Sequence, residues 1–417
     1  MTEKAVKDNA EQAEFRTECR AWLANNTPPP PEFKPVKSGV EVVTDEQLKY
    51  YREWQGAAYE AGLVGCDYPT EFGGGGREKC QAIANQEMMR AGTPIFPGVI
   101  GLGMAAPTIF FHGNDDLKRA RLPSLFSGDE LWCQGFSEPG AGSDLASVQT
   151  FAEKKGDKWV INGHKVWTST AQFADWMILL ARTDKTDRYN GLTYFVVPIK
   201  AMLGESVTVR PLIKITGEAG FNEVLFEDLE ISDANRLDDV GKGWQVAMTT
   251  LAHERGAGLL TTPTSGGQGT QEKKQSSVET PSEHQFPLVT LAKNTMRNGK
   301  PAIEDPVLCD KVMNMMIRQT AIKQQRRMRG VKGLADPQRL SLQDKLLGTE
   351  YLQDAAELAL EIEGAQSTLS YADENAPEKG KWPMAYLSSF GGTIAGGTNE
   401  IQKNILGERV LGLAKSK

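Results

Sequence analysis

The chain has 417 residues, 40% hydrophobic and 24% charged, too many for one simple core, so two or three domains are expected. Its formal charge of −7, from 47 Lys+Arg and 54 Asp+Glu, argues against general binding to a phosphate backbone. Five scattered cysteines with no CxxC pair fit reduced, cytoplasmic thiols, and four histidines in no ligand pattern argue against a metal site.

The N-terminal MTEKAVKDNAEQAEF carries acids and lacks an apolar core, so it does not read as a signal peptide. Apolar positions recur at three- and four-residue spacing over 11–24 and 45–62, which predicts helices. Gly73–Gly76 reads as a loop and 79–92 as another helix. The apolar run Pro94–Phe111 holds three prolines and three glycines and is barely of membrane length, so a buried helix with irregular ends is expected. A GxGxxA at Gly101–Ala106 has no strand before it. Small residues that let two helices approach explain it better than a dinucleotide fingerprint.

The period changes at about 131. The runs WVINGHKVW from Trp159, WMILLAR from Trp176, LTYFVVPI from Leu192 and FNEVLFEDL from Phe221 are short and rich in β-branched and aromatic residues. They predict a largely antiparallel β-domain. After Gly243 the helical pattern returns, interrupted by the polar stretch Pro263–Glu283, which reads as a loop. Lys323, Arg326, Arg327, Arg329 and Lys332 fall all around a helix axis, a solvated helix rather than a nucleic-acid face. The expected class is α+β: a helical domain over 1–130, a β-domain over 131–240 and a helical domain over 241–417.

Two runs carry the most chemistry. In WCQGFSEPGAGSDLAS (Trp132–Ser147), Pro139, Gly140 and Gly142 form a tight turn whose backbone amides can face an anion or a ring edge. In NGHKVWTSTAQFADW (Asn162–Trp176), Trp167 and Ser169 are two apart and share a strand face. Together with GTNEIQ at Gly397–Gln402, in this order and spacing, these runs closely resemble the acyl-CoA dehydrogenase family. The likeness extends over about residues 10–412.

The resemblance implies an acyl-CoA dehydrogenase-like fold with a helical N-domain, a middle β-domain and a C-terminal helical bundle. It implies an FAD enzyme that oxidises the Cα–Cβ bond of an acyl-CoA to a trans-2-enoyl-CoA and passes electrons to an electron-transfer flavoprotein. By position, Phe136 and Ser137 contact the pyrimidine side of the flavin, and Trp167 covers one ring face. Ser169 bonds near N5, and Ser143 reaches the phosphate or pantetheine region. Gln134 stands where the family often has an aromatic residue. Thr398 and Glu400 lie at the adenine end.

Many members carry the catalytic glutamate just before the Gly-Thr pair, where this chain has Gly396. Its N–H can still donate to a thioester oxygen. A second branch carries the base in a Glu-Arg pair on the first long helix of the C-terminal domain, here Glu254 and Arg255. At helical period Trp244, Ala247, Leu251, Glu254 and Gly258 share one stripe, so Glu254 is expected to point where the helix buries apolar side chains. Burial there disfavours the charged form, as a general base working near neutral pH requires. Arg255 is the structural partner, and His253, about 100° away, reads as solvated.

The family's interface motifs are altered. TMRNG at Thr295–Gly299 replaces Arg-x-x-Phe-Gly, with Arg297 the nearest arginine, and EIEGA at Glu361–Ala365 replaces Gln-x-x-Gly-Gly. A homotetramer or a heteromer is expected. Glycines at 98, 101, 103, 256 and 258 suggest roomy pocket walls and a bulky, branched or ring-bearing acyl group. An acyl-CoA oxidase, a desulfinase or a subunit of a heteromeric dehydrogenase are the other readings.

Overall fold

Helix formation starts on two capping boxes. Asn9 and Thr44 accept the backbone N–H three residues on, and Gln12 and Gln47 return the bond, opening α1 (Ala10–Asn26) and α2 (Asp45–Glu60). α3 (Gln81–Ala91) ends on left-handed Gly92. A π-helical turn, Gly101–Ala105, runs into α4 (Ala106–His112), and α5 (Asp115–Ser127) follows, capped by Asn114. The computed structural model describes residues 8–36, 38–254, 286–328, 337–369, 371 and 373–415. The chain divides into two compact units, Met1–Gln271 and Glu272–Lys417.

In the first unit the strands are β1 (Trp132–Gly135), β2 (Phe151–Lys155), β3 (Lys158–Ser169), β4 (Trp176–Arg182), β5 (Leu192–Pro198), β6 (Val207–Leu212), β7 (Phe221–Ser232) and β8 (Arg236–Leu237). They form one sheet in the order β6-β7-β3-β2-β4-β5-β8, with β1 parallel to β4. β2 also runs parallel to β4, and the remaining pairings are antiparallel. β4 and β5 are buried on both faces, and their alternation splits two cores. Ile178, Leu180, Tyr194 and Val196 join Leu23, Trp54, Ile109 and Phe126 of the helices. Met177, Leu179, Phe195 and Val197 join Trp159, Ile161 and Phe226 of the outer strands. α6 (Gly243–Glu254) leaves the sheet and buries Val246 and Ala247 in the helical core.

The second unit packs α7 (Pro287–Asn294), α8 (Pro306–Arg327), α9 (Pro337–Glu363), α10 (Lys381–Ile394) and α11 (Asn399–Ile405). Its core holds Leu288, Leu291, Val312, Leu358, Ile362 and Trp382. Between α7 and α8 lies a hairpin the sequence reading did not foresee, β9 (Met296–Arg297) and β10 (Lys300–Pro301). Asn298 and Gly299 turn it, with φ 51° and 80°, the left-handed pair that a two-residue hairpin requires.

The apolar run is indeed buried at Ile100, Leu102, Ala105, Ala106 and Ile109. Among the described residues no helix is long and apolar enough to cross a membrane. Pro263–Glu283, Arg255, Gly256 and Gly258 lie outside the described residues, as do Arg329, Lys332 and the side chains of Arg326 and Arg327.

Candidate functional site

β1 lies flat on β4, and Gly135 has no room for a side chain beside Met177. The chain then turns through Phe136–Ala141, where Glu138 and Ala141 exchange backbone bonds. Glu138 is buried, and its carboxylate accepts three hydrogen bonds. The N–H groups of Gln149 and Thr150 donate to it at 2.6 and 2.8 Å, and Lys165 Nζ donates at 2.8 Å. Lys165, fully buried on β3, also donates to the Phe136 carbonyl at 3.0 Å. Burial would raise the Glu138 carboxyl, but Lys165 and the loop donors hold it below its ordinary value. Burial lowers the Lys165 ammonium. This pair ties the Ser137–Asp144 run to the Asn162–Trp167 run. Arg182 closes the far end of the loop, donating to the carbonyls of Ala146 and Val148 at 2.6 and 3.0 Å. Ser143 is exposed, and Asp144 accepts from Ser147 and Arg188.

At the end of β3 the register against β7 slips between Lys165 and Thr168. Trp167 sits in that bulge with φ 59°, a left-handed backbone that costs a tryptophan about 1–2 kcal/mol. The bulge leaves its indole 59% exposed, edge-on to Phe221 at 5.8 Å. Ser169, two residues on, is half-buried. Two buried polar atoms lack partners among the described residues: Gln134 Nε2 on β1 and, next to Trp167 in sequence, Thr168 Oγ1 on β3. An outward-held indole and unpaired buried donors are what a flat, polar-edged ring would complete.

α6 packs with a different phase from the expected stripe. Gly243, Val246, Ala247, Thr250 and His253 are buried, whereas Trp244, Leu251 and Glu254 are half-buried. The centre of the face is polar because Thr250 is satisfied there: its Oγ1 lies 2.9 Å from Thr108 Oγ1 on α4 and 2.9 Å from the Tyr194 hydroxyl on β5. His253 is therefore not solvated; it stacks on Phe111 at 6.3 Å, and burial lowers its pKa. Glu254 ends the described helix. Burial pushes the Tyr194 phenol up, the Thr250 bond opposes this, and the Glu254 charge adds to the rise.

Two of the pocket-wall glycines face filled space. A side chain at Gly98 would meet Gln55 Oε1 at 2.9 Å, and one at Gly101 would meet Leu125 and Trp132 at 3.3 and 3.4 Å. These two serve close packing.

In the second unit, Gly396 and Gly397 are both left-handed, with φ 65° and 88°. Gln402 Nε2 donates to the Gly396 carbonyl at 3.0 Å, and Lys345 Nζ donates to the Gly397 carbonyl at 2.8 Å. Thr398 caps α11, accepting from the Ile401 N–H at 3.3 Å. Glu400 is exposed in the first turn, and its own N–H and the Thr398 hydroxyl hold its carboxyl down. Arg297 is exposed on the hairpin and donates to the Glu361 carbonyl at 3.1 Å, which joins the two altered interface motifs to each other.

Glu138, Lys165, Tyr194 and Thr250 had no role in the sequence reading. Glu138 and Lys165 stand inside the two quoted motifs, a signal that was available. Nothing in the spacing marks Tyr194 or Thr250.

Three family models match the chain in succession: acyl-CoA dehydrogenase, N-terminal domain over 9–129, middle domain over 133–229 and C-terminal domain over 287–411. Acyl-CoA dehydrogenase IpdE1 of Mycobacterium tuberculosis is 37% identical over 408 residues, spanning 96% of this chain and 98% of that protein. The solved ChsE4-ChsE5 complex from Mycobacterium tuberculosis aligns with a TM-score of 0.68 at 26% identity, over 99% of this chain and 100% of that one. A structure named Tcur3481-Tcur3483 steroid ACAD aligns with a TM-score of 0.70 at 24% identity, over 99% of this chain and 100% of that one.

Proposed function

The chain belongs to the acyl-CoA dehydrogenase family of oxidoreductases, and we propose that it dehydrogenates the Cα–Cβ bond of an acyl-CoA thioester with Glu254 as the base. The observation that carries this is a half-buried carboxylate at the end of α6, near enough to Tyr194 for its charge to act there, while position 396 offers no side chain.

The cofactor of this reading is FAD, and the buried atoms of Gln134 and Thr168 without partners among the described residues, together with the outward indole of Trp167, suit a flavin. When bound, FAD supplies the acceptor for the hydride that leaves Cβ. Gln134, Phe136 and Ser137 would hold the pyrimidine edge, Trp167 one ring face and Ser169 the region of N5. Ser143 would reach the phosphates or the pantetheine, and Thr398 and Glu400 the adenine. The Gly396 N–H would donate to the thioester oxygen as charge develops, an interaction commonly worth about 3–4 kcal/mol. The Glu254 carboxylate then takes the α-proton, and the freed electron pair forms the Cα=Cβ bond. Arg255, outside the described residues, remains the structural partner in this reading.

The division into domains 1–130, 131–240 and 241–417, a cytoplasmic setting, an electron-transfer flavoprotein as acceptor and a homo- or heterotetramer belong to the same proposal. The neighbouring structures named as paired chains support the heteromeric form.

Glu254→Gln keeps the size and removes the base. We expect flavin bleaching by acyl-CoA under anaerobic conditions to slow by ~10²–10⁴. A variant as fast as wild type would remove Glu254 from the reaction. The panel of thioesters spans short, long, branched and ring-bearing acyl groups, the last prompted by the steroid neighbour. Rapid reaction of the reduced enzyme with oxygen would point to an oxidase instead.

A further inference from the structure

Thr108, Thr250 and Tyr194 are all fully buried, and they come from three different elements, α4, α6 and β5. Thr108 Oγ1 lies 2.7 Å from the Met104 carbonyl. Thr250 Oγ1 also lies 3.3 Å from the Val246 carbonyl of its own helix. The Met104 and Val246 carbonyls can only accept, so three hydroxyl protons are shared among four contacts.

Thr250 stands one helical turn before Glu254, on the same side of α6. Its two partners come from different elements, α4 and β5, and together they hold the rotation of the helix about its own axis. Tyr194 makes a second contact: its ring meets Phe136 edge-on at 5.8 Å, and Phe136 lies in the loop clamped by Lys165. One tyrosine thus touches both the helix of the base and the loop assigned to the flavin edge.

We propose that Thr250 and Tyr194 are positioning residues that hold Glu254 at the distance and angle proton abstraction needs. The inference rests on the assignment of Glu254 as the base. Proton transfer tolerates little error, and a misplacement of about 1 Å costs around 10²-fold.

The test compares full-length wild type, Thr250→Val, Thr250→Ser, Tyr194→Phe and Glu254→Gln. FAD affinity, acyl-CoA binding and the bleaching rate at saturating acyl-CoA are measured for each. Amide exchange across 243–254 is followed on the same proteins. Thr250→Val and Tyr194→Phe should bleach about 10–100-fold more slowly, with binding of both ligands unchanged and faster exchange in the last turn of α6. Thr250→Ser should recover most of the rate. Wild-type rates in both variants, or a loss confined to ligand binding, would overturn the proposal. A wild-type rate in Glu254→Gln would instead overturn the base assignment beneath it, whatever Thr250 does.

Discussion

Trp167 combines a conformation few tryptophans adopt with a side chain that the fold leaves uncovered. Its strain is not offset by burial, so a role outside the fold is the economical explanation. Trp167→Gly separates the two. Glycine relieves about 1–2 kcal/mol of left-handed strain and loses roughly 0.5–1 kcal/mol to chain entropy. Stability should stay within about 1 kcal/mol of wild type by denaturant unfolding, while FAD binding weakens about tenfold, the scale of one lost aromatic contact. A stability loss as large as the binding loss would make Trp167 a structural residue. The sequence showed this residue because its motif is contiguous. It could not show His253, because burial there depends on which neighbour the helix face meets. Phe111 supplies that neighbour from more than a hundred positions upstream.

Between elements, the clamp of Glu138 and Lys165 decides how the loop after β1 sits on β3. Lys165→Met would leave a buried carboxylate without its cation, a loss of about 3–5 kcal/mol. Thermal unfolding should fall accordingly, and FAD titration should show the loop 136–150 unable to hold its ligand. If the variant unfolds at the wild-type temperature, the pair is not the clamp described. The strands were legible because alternation and β-branched residues mark them, and β4 and β5 could be found from their apolar runs. The phase of α6 was not. A threonine counts as polar in a pattern, and only Thr108 and Tyr194, 142 and 56 residues away, make it a core residue. The glycines at 98 and 101 failed for a related reason: a missing side chain reads the same whether the space is empty or already taken by Gln55 or Trp132.

For the molecule as a whole, the change of period announced helices before and after a run of strands along the chain, and both are present. One buried charge bears on the stability of the second unit. Glu363 is 5% exposed at the end of α9, and neither carboxylate oxygen has a hydrogen-bond partner among the described residues. Burial pushes its pKa up to about 6, with Glu378 adding and Lys381 opposing. A group raised in the folded state gives its full stability below its ordinary value of 4.5 and loses it as pH climbs through about 6. Glu363→Met removes the charge, so the variant should melt above wild type at pH 8, by about 1–3 kcal/mol, and the gap should narrow at pH 5. Equal gaps at both values would exclude an uncompensated charge. The left-handed turn at Gly396 and Gly397 also limits what a side chain could do there. A glutamate placed at 396 would find open space, but it would carry about 1–2 kcal/mol of left-handed backbone strain from which glycine is exempt.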